Sequence, residues 1–416
     1  MKNYLVIQLA RFGDLIQTKR LLKTLAARPE ATVHLCLDAS LAPLARLVYP
    51  DVILHPITAH GTGQDSNETA LRMLLDNRRT FATLAAIDFE TVFNLNFSGL
   101  NFRLAALFAP ERVEGYAWNN GQEITGQWPA MAMRWSGFRR LGINLVDFWG
   151  AYCPDMLPAP MVNPKATPKG GGMGVVLAGR ESRRSLPAPL LAQITATLAG
   201  ARNAQSITLL GGQAERAAGQ AVTKELPANL QSVTENMAER TDWQRLVEVI
   251  DGLDLLITPD TGTMHLAAHL GTPVAAFFLS SAWCFETGPY GLGHTVYQGV
   301  TDCLPCLETA PCRENVRCLN GFADPGFRRF LVTGKAGHAP EGLLALRSAF
   351  DDLGQTYEPF AGTDEDAPKR GVLRNFLLHH LGGAEPRFDR LEQFFAGQLY
   401  REKDWMTAEK PSRKQE

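Results

Sequence analysis

The feature that most restricts the fold of this 416-residue chain is an alternation of short apolar runs with helical patterns, which occurs twice. Two apolar runs that flank an amphipathic helix are typical of a βαβ unit, which builds a parallel sheet covered on both faces. Since the chain is too long for one small module, two such halves are expected. The predicted strands are residues 4–9, 32–37, 51–55 and 90–95 in the first half and 174–178, 205–210, 254–258 and 273–279 in the second.

A segment rich in proline and glycine, residues 154–172, separates the halves and predicts an interdomain linker. We therefore predict an α/β fold of two Rossmann-like domains with doubly wound parallel sheets, over residues 1–160 and 171–340. Ligands of such sheets bind beyond the carboxyl ends of the strands, and with two sheets they bind in the cleft between them. Residues 341–416 are expected to form a helical C-terminal extension with a polar tail, because 345–353, 372–381 and 389–400 have helical spacing.

Composition excludes several classes of protein. The chain has 41 Lys and Arg against 43 Asp and Glu, so its overall field attracts neither nucleic acid nor an anionic membrane. No apolar run reaches the roughly 18 residues that span a bilayer, and the first residues do not have the layout of a signal peptide. Seven cysteines over a long chain do not suggest the disulfide framework of a secreted domain. We expect a cytoplasmic protein with at most peripheral contact with the inner face of a membrane.

The most specific motif is Asp260-Thr261-Gly262-Thr263-Met264-His265, which follows a predicted strand and precedes a helical run that Gly271 ends. The first turn of a helix has unpaired backbone N–H groups and about half a positive charge, so it binds anions. Thr261 and Gly262 would present those groups, and a glycine would let a phosphate approach closely. His265 would reach the same anion. Alternatively, Asp260 or Thr261 only caps the helix and His265 is an ordinary half-buried histidine.

Three further motifs occupy the ends of predicted strands. Asp14 follows the first strand, and it could act as a general base on a substrate hydroxyl or could cap a helix. The segment GRESRR, residues 179–184, has cations that could neutralise a diphosphate leaving group, although surface arginines are usually solvated. Glu215, after Gly211 and Gly212, could accept hydrogen bonds from a nucleoside or could merely begin a helix.

In their order and their positions at strand ends, these motifs resemble glycosyltransferase family 9, the ADP-heptose:lipopolysaccharide heptosyltransferases. The similar stretches are LVIQLARFGDLIQT, VVLAGRESRRSLP, LLGGQAE and ITPDTGTMHLAAHLGTPVAAFF, and the resemblance covers roughly residues 3–335. It implies a GT-B fold and an inverting transfer that requires no metal cofactor. The donor would be ADP-heptose or a related nucleotide sugar, held mainly by the second domain. A lipid-linked saccharide acceptor would be held by the first domain.

The resemblance also implies roles for single residues. Asp14 would be the general base that deprotonates the acceptor hydroxyl. Arg184 stands where the family has a lysine that contacts the donor phosphates, and Glu215 would meet the adenosine. Positive charge for the leaving ADP would come from Arg184, His265 and the helix N-terminus. The diphosphate and the sugar would be held by Asp260, Thr261, Gly262 and His265.

The chain departs from the family pattern at two places. After GDLIQT the family has an apolar residue and proline, whereas this chain has Lys19 and Arg20, which we expect to face solvent rather than an acidic acceptor. In place of K-R-W-P, the residues Arg184-Ser185-Leu186-Pro187 keep the charge and the proline but lack the aromatic side chain. Other functions therefore stay open: transfer of a different nucleotide sugar, a protein acceptor such as flagellin or an adhesin, or non-catalytic nucleotide binding on the same scaffold.

Four of the cysteines lie within sixteen positions: Cys303, Cys306, Cys312 and Cys318. Such a set could close a tetrahedral zinc or iron site, although one CxxC pair is not specific, and the alternative is reduced thiols or two labile disulfides. The resemblance favours the metal, because family members often have a similar segment and some relatives that modify proteins hold iron through cysteines. With four thiolates and no open position, the metal would be structural.

Overall fold

A computed structural model describes residues 2–59, 66–178, 182–307, 309–383 and 389–400 of the chain. These residues form two mostly parallel sheets that are flanked by helices. The predicted α/β fold with two domains is therefore confirmed. Within the described residues, no helix combines the length and the apolar composition that crossing a membrane requires.

The first sheet has six strands among the described residues, in the order β3-β2-β1-β4-β5-β6, and only the β5–β6 pair is antiparallel. Its centre is β1, in which Leu5, Val6 and Ile7 have no exposed surface because helices cover both faces. The strands are β1 (Lys2–Gln8), β2 (Ala31–Asp38), β3 (Ile53–Ile57), β4 (Phe89–Asn94), β5 (Val113–Asn119) and β6 (Gln122–Thr125). The helices are α1 (Phe12–Gln17), α2 (Lys19–Ala26), α3 (Ala42–Val48), α4 (Ser66–Ala86), α5 (Gly99–Ala105), α6 (Gln127–Trp135) and α7 (Leu145–Gly150).

The second sheet has eight strands among the described residues, in the order β14-β13-β12-β11-β10-β7-β8-β9. Six strands are parallel, and the last two along the chain add an antiparallel edge. The strands are β7 (Met173–Val176), β8 (Ile207–Leu210), β9 (Thr234–Asn236), β10 (Leu255–Pro259), β11 (Val274–Phe278), β12 (Thr295–Gly299), β13 (Leu343–Phe350) and β14 (Gln355–Ala361). The helices are α8 (Ala188–Arg202), α9 (Arg216–Glu225), α10 (Ala228–Gln231), α11 (Trp243–Gly252), α12 (Gly262–Leu270), α13 (Cys284–Thr287), α14 (Asn320–Ala323) and α15 (Pro325–Thr333).

The helix that the sequence predicts over residues 345–353 is wrong, because most of them belong to β13. The periodicity of a short apolar run is compatible with a strand or a helix. Here the residues form a strand because they pair in antiparallel fashion with β12 and β14. The helical part of the C-terminal region begins later, with α16 (Ala367–His380) and α17 (Arg390–Leu399). These helices pack on the folded body: α16 on the 3₁₀ turn Ser136–Leu141 and α17 on α6.

A buried polar network joins the two domains beside a shared hydrophobic core. Asp147 of α7 has a fully buried carboxylate that accepts hydrogen bonds from Arg20 Nη1 at 2.6 Å and Tyr290 Oη at 2.6 Å. Its second oxygen accepts a hydrogen bond from the backbone N–H of Gln355 at 2.7 Å. Arg20 and Asp147 lie in the first half of the chain and the other two groups in the second, so the network links the halves directly.

The predicted exposure of Lys19 and Arg20 to solvent is wrong, since both side chains are buried. Arg20 is surrounded by acceptors, because it also donates to the carbonyl oxygens of Leu157 at 2.8 Å and Leu353 at 3.0 Å. Lys19 donates to the carbonyl oxygen of His269, near the end of α12, at 3.3 Å. Burial lowers the pKa of Lys19 to about 7. Both cations therefore serve contacts within the protein.

Candidate functional site

A cavity of about 840 Å³ lies between the domains, at the carboxyl ends of β1, β7, β8 and β10. The structure brings together every residue that the sequence analysis proposed for the active site, and all of them line this cavity: Asp14, Arg184, Glu215, Asp260, Thr261, Gly262 and His265. Residues 179–181 of the GRESRR segment lie outside the described residues. The cavity is the cleft that two facing α/β domains are expected to form.

The N-terminus of α12 opens onto this cavity. Thr261 is the N-cap residue, and its side-chain oxygen accepts a hydrogen bond from the backbone N–H of Met264 at 3.3 Å. The helix ends at Gly271, whose φ of 76° is in the left-handed region that favours glycine. Thr261, Gly262 and Thr263 line the cavity. The first turn of a nine-residue helix, with its partial positive charge, is therefore directed toward any anion in the cleft.

Phe12 of the first domain covers one side of this turn. A Cβ atom on Gly262 would lie 2.2 Å from Phe12 Cδ1, so no larger residue fits beneath the ring. The ring centroid of Phe12 is also 4.9 Å from that of Trp243, in an edge-on arrangement. Gly262 was expected to allow the close approach of a phosphate, but in the structure its missing side chain makes room for Phe12.

Asp14 lies in the first turn of α1, and its Oδ2 accepts a hydrogen bond from the backbone N–H of Arg11 at 3.2 Å. Burial raises the pKa of the Asp14 carboxyl above its ordinary value, although the hydrogen bond and the charge of Arg11 lower it, and the charge of Asp260 raises it further. A carboxylate with a raised pKa accepts a proton more readily. Asp14 therefore caps its helix and also has the properties of a general base.

Arg184 and Asp260 form an ion pair between Nη2 and Oδ2, and Thr287 Oγ1 donates to the same carboxylate oxygen at 2.9 Å. Because Asp260 already pairs with the arginine, a phosphate in the cleft would share Arg184 with this carboxylate. The neighbouring Arg183 does not line the cavity and donates to the carbonyl oxygen of Leu307 at 2.9 Å. Of the two described arginines of this segment, only Arg184 lies at the site.

His265 is a neutral imidazole at pH 7. Burial, together with the nearby charge of Arg184, lowers its pKa to about 3. Its Nε2 lies 3.8 Å from Asp260 Oδ1. The expectation that His265 supplies positive charge is therefore wrong, because protonation within the buried site is too costly. A neutral ring can still donate or accept a hydrogen bond with a phosphate or a sugar hydroxyl.

Glu215 stabilises its own turn. Its Oε2 accepts a hydrogen bond from the backbone N–H of Gly212 at 2.7 Å. A side chain at Gly211 would meet Glu215 Cβ at 2.7 Å, so the glycine allows the two segments to approach. The helix-starting role that the sequence left open is present, and the residue also lines the cavity.

The cysteine cluster does not form a metal site in the described structure. All seven thiols are free. Cys303 and Cys312 are exposed, Cys306 is half-buried and Cys318 is buried. Among the described residues, no group of three or more histidine, cysteine, aspartate or glutamate side chains is arranged to hold a metal ion. The described residues therefore do not fit the structural zinc or iron site that the sequence left open as one alternative.

Several residues that line the cavity were not among the predicted site residues, and they include Phe12, Gln17, Trp243 and Thr287. Gln17 was detectable, because it lies three residues after Asp14 on the same short helix, and Phe12 is the first residue of that helix. Trp243 gives a weaker signal, as an aromatic residue at the start of a helix that follows a strand end. Thr287 gives none, since it is far in sequence from every motif.

Part of the chain matches a known protein family. Residues 195–316 match the family model of glycosyltransferase family 9 (heptosyltransferase), a range that includes Glu215 and the start of α12. No curated protein matches the chain in sequence.

Solved structures of this family share the fold. The chain is 18% identical to Escherichia coli ADP-heptose lps heptosyltransferase II, with a TM-score of 0.51 over 77% of this chain and 98% of that one. It is 16% identical to the family 9 glycosyl transferase of Veillonella parvula, with a TM-score of 0.50 over 71% of this chain and 86% of that one. It is 15% identical to E. coli heptosyltransferase WaaC with ADP, with a TM-score of 0.50 over 71% of this chain and 93% of that one. The predicted GT-B fold is thereby confirmed.

Proposed function

We propose that this chain, a glycosyltransferase of family 9, transfers heptose from ADP-heptose to a lipopolysaccharide inner-core acceptor with inversion at the anomeric carbon. One observation carries the proposal: Asp14 of the first domain and the N-terminus of α12 in the second line one cavity. A base and an anion site in one cavity are what such a transfer needs. The proposed donor is supported by similar structures, one of which is an ADP-heptose enzyme and another of which contains ADP.

The proposed step is a single displacement. The acceptor hydroxyl oxygen attacks the anomeric carbon while Asp14 takes its proton, and the bond from that carbon to the phosphate oxygen breaks. ADP leaves with the bonding electron pair. Its developing charge is met by Arg184 and the first-turn amides of α12, which are fixed before the reaction begins. The neutral ring of His265 contributes a hydrogen bond to the phosphate or the sugar.

The donor would lie along the second domain. With its diphosphate at α12, the adenosine extends toward Glu215 and Trp243, which line the same cavity. In this proposal the charge of the leaving group is met by side chains and amides of the chain itself, so we expect transfer to persist in the presence of EDTA. A lipid-linked acceptor would bring the enzyme to the inner face of a membrane by peripheral contact.

The test is a transfer assay with purified protein and an inner-core lipopolysaccharide that lacks the transferred heptose, in which ADP-heptose is compared with UDP- and GDP-sugars. We expect turnover with ADP-heptose alone. Asp14→Asn keeps the shape of the side chain but removes the base, and it should lower kcat by about 10²- to 10⁴-fold. Asp155→Asn is the matched control, since Asp155 is a half-exposed aspartate of the first domain that pairs with Arg28 on the surface.

Each alternative has its own outcome. Turnover with another nucleotide sugar would show that the donor is not ADP-heptose. Transfer to protein but not to lipopolysaccharide would show that the acceptor is a protein. Binding of ADP without turnover by the wild-type protein would indicate a non-catalytic nucleotide-binding protein. Full activity of Asp14→Asn would refute the role of the base.

A further inference from the structure

We propose that Gln17 binds the acceptor, through a hydrogen bond from its side-chain amide to an oxygen next to the hydroxyl that Asp14 deprotonates. The inference rests on the proposed function and adds a substrate-binding residue to it. Nothing in the family motifs marks this position as a ligand contact. The inference follows from the position of the Gln17 amide beside Asp14 and from the missing hydrogen-bond partner of its Nε2.

The position of Gln17 places it beside the base. Gln17 is the last residue of α1, three residues after Asp14, and residues at this spacing lie on one face of a helix with Cβ atoms roughly 5–6 Å apart. Both side chains line the interdomain cavity. That separation is comparable to the width of one sugar ring. A saccharide whose hydroxyl meets Asp14 would therefore bring a second oxygen within reach of the amide.

The amide of Gln17 is buried without being satisfied. The residue is 3% exposed, and within the described part of the chain its Nε2 has no hydrogen-bond partner. The adjacent Thr18 is different: its hydroxyl donates to the carbonyl oxygen of Asp14 at 2.8 Å and accepts from Gln8 Nε2 at 3.1 Å. A buried donor without a partner destabilises the folded state. A hydrogen bond from Nε2 to the bound substrate would explain why a buried amide without a partner lies in this cavity.

A substrate can reach this amide in two ways. In the ligand-free arrangement Nε2 is shielded from solvent. A half-turn of the carboxamide exchanges Nε2 and Oε1 and leaves the rest of the side chain in place. In addition, α1 packs against α12 of the other domain, so separation of the two domains uncovers the face that carries Asp14 and Gln17. The acceptor would enter along that face.

Gln17→Met tests the proposal, because methionine keeps the length of the side chain and removes both polar atoms. We expect the KM for the inner-core acceptor to rise about tenfold, as for the loss of one hydrogen bond to substrate. The dissociation constant of ADP, measured by calorimetry, should stay the same. The Tm of the ligand-free protein should stay the same or rise, because an unsatisfied buried amide is replaced by an apolar group.

Gln298→Met is the matched control. Gln298 is fully buried in β12, where its amide donates to the carbonyl oxygens of Phe278 and Gly299 and accepts from the backbone N–H of Cys284. This variant should lower the Tm and leave the acceptor KM unchanged. A raised acceptor KM with an unchanged Tm in Gln17→Met, and a lowered Tm with an unchanged KM in Gln298→Met, would distinguish a substrate-binding glutamine from a structural one.

Gln17→Glu gives an independent readout. A second carboxylate beside Asp14 should raise the pKa of the base and move the acidic limb of the pH–rate profile to higher pH. The proposal is overturned if wild-type enzyme is active but Gln17→Met leaves the acceptor KM unchanged, or raises only the KM for ADP-heptose. If the wild-type enzyme transfers nothing, the proposed function fails first, and the two failures are thereby distinguished.

Discussion

Removal of Arg20 should destabilise the protein far more than removal of a surface cation. Its partner Asp147 has no exposed side-chain surface, and burial raises the pKa of that carboxyl despite the opposing charge of Arg20. Arg20→Met would leave this carboxylate in the interior without its nearest cation. Loss of one partner of a buried ion pair costs about 3–5 kcal/mol, and we expect a decrease of that size in the free energy of unfolding.

The assay is urea denaturation followed by circular dichroism, with Arg28→Met as the matched control. Arg28 and Asp155 also lie 2.6 Å apart, and they join the end of α2 to the region after α7, but their side chains are 23% and 52% exposed. An exposed pair contributes about 0–1 kcal/mol, so this variant should differ little from wild type. The comparison keeps the residue types and the shortest N–O distance and changes the burial; the hydrogen bonds also differ, because Arg28 makes two to Asp155, whereas Arg20 makes one to Asp147 and two to carbonyl oxygens.

A double variant makes the reasoning refutable. Asp147→Asn alone should also destabilise, whereas Arg20→Met combined with Asp147→Asn removes both charges and should lose less than the sum of the two single losses. If the losses add to within about 0.5 kcal/mol, the two residues are not coupled. If Arg20→Met costs less than about 1 kcal/mol, the network does not hold the domains together.

Three further results are expected. Burial lowers the pKa of His294 to about 4, so the unfolded chain takes up the proton first as pH falls below about 6.5. His294 should therefore account for about 3 kcal/mol of the stability that is lost between pH 6.5 and 4, and His294→Leu should make the urea midpoint fall less steeply over that range; an unchanged slope would contradict this. Gly262→Ala should lower the transfer rate about tenfold, because the new methyl group displaces Phe12. Phe12→Ala in the same chain should restore most of that rate; no restoration would show that the methyl group does not act through Phe12. Metal analysis should find well under one equivalent of zinc or iron, with no change in Cys306→Ser; a full equivalent that the variant loses would restore the metal site.

The sequence predicted the sheets and the site because both depend on local signals. A buried parallel strand is a continuous apolar run, and the residues after it are at the ligand-binding edge whichever helix follows. For that reason the amino-acid sequence alone was enough to place Asp14 and the Asp260–His265 motif at one cleft. The N-cap of α12 at Thr261 and its C-terminal end at Gly271 could also be predicted from the neighbouring residues alone.

The contacts that the sequence did not predict depend on distant partners. Nothing near Arg20 shows that Asp147 and the carbonyl oxygen of Leu353 surround it, so exposure was the natural expectation for an arginine. The β13 strand was mistaken for a helix because its pairing with β12 is not visible in its own residues. The charge of His265 was also misjudged, since burial rather than residue type sets its pKa.

The path of the chain decides how the two halves can be exchanged. After β14 completes the second sheet, α16 and α17 return and pack on α6 and the 3₁₀ turn Ser136–Leu141 of the first half. A chimera made with a single junction near residue 171 would therefore import a foreign pair of helices to cover the native first half. Exchange of the second half requires another junction between β14 and α16, so that the C-terminal helices stay with the half they cover.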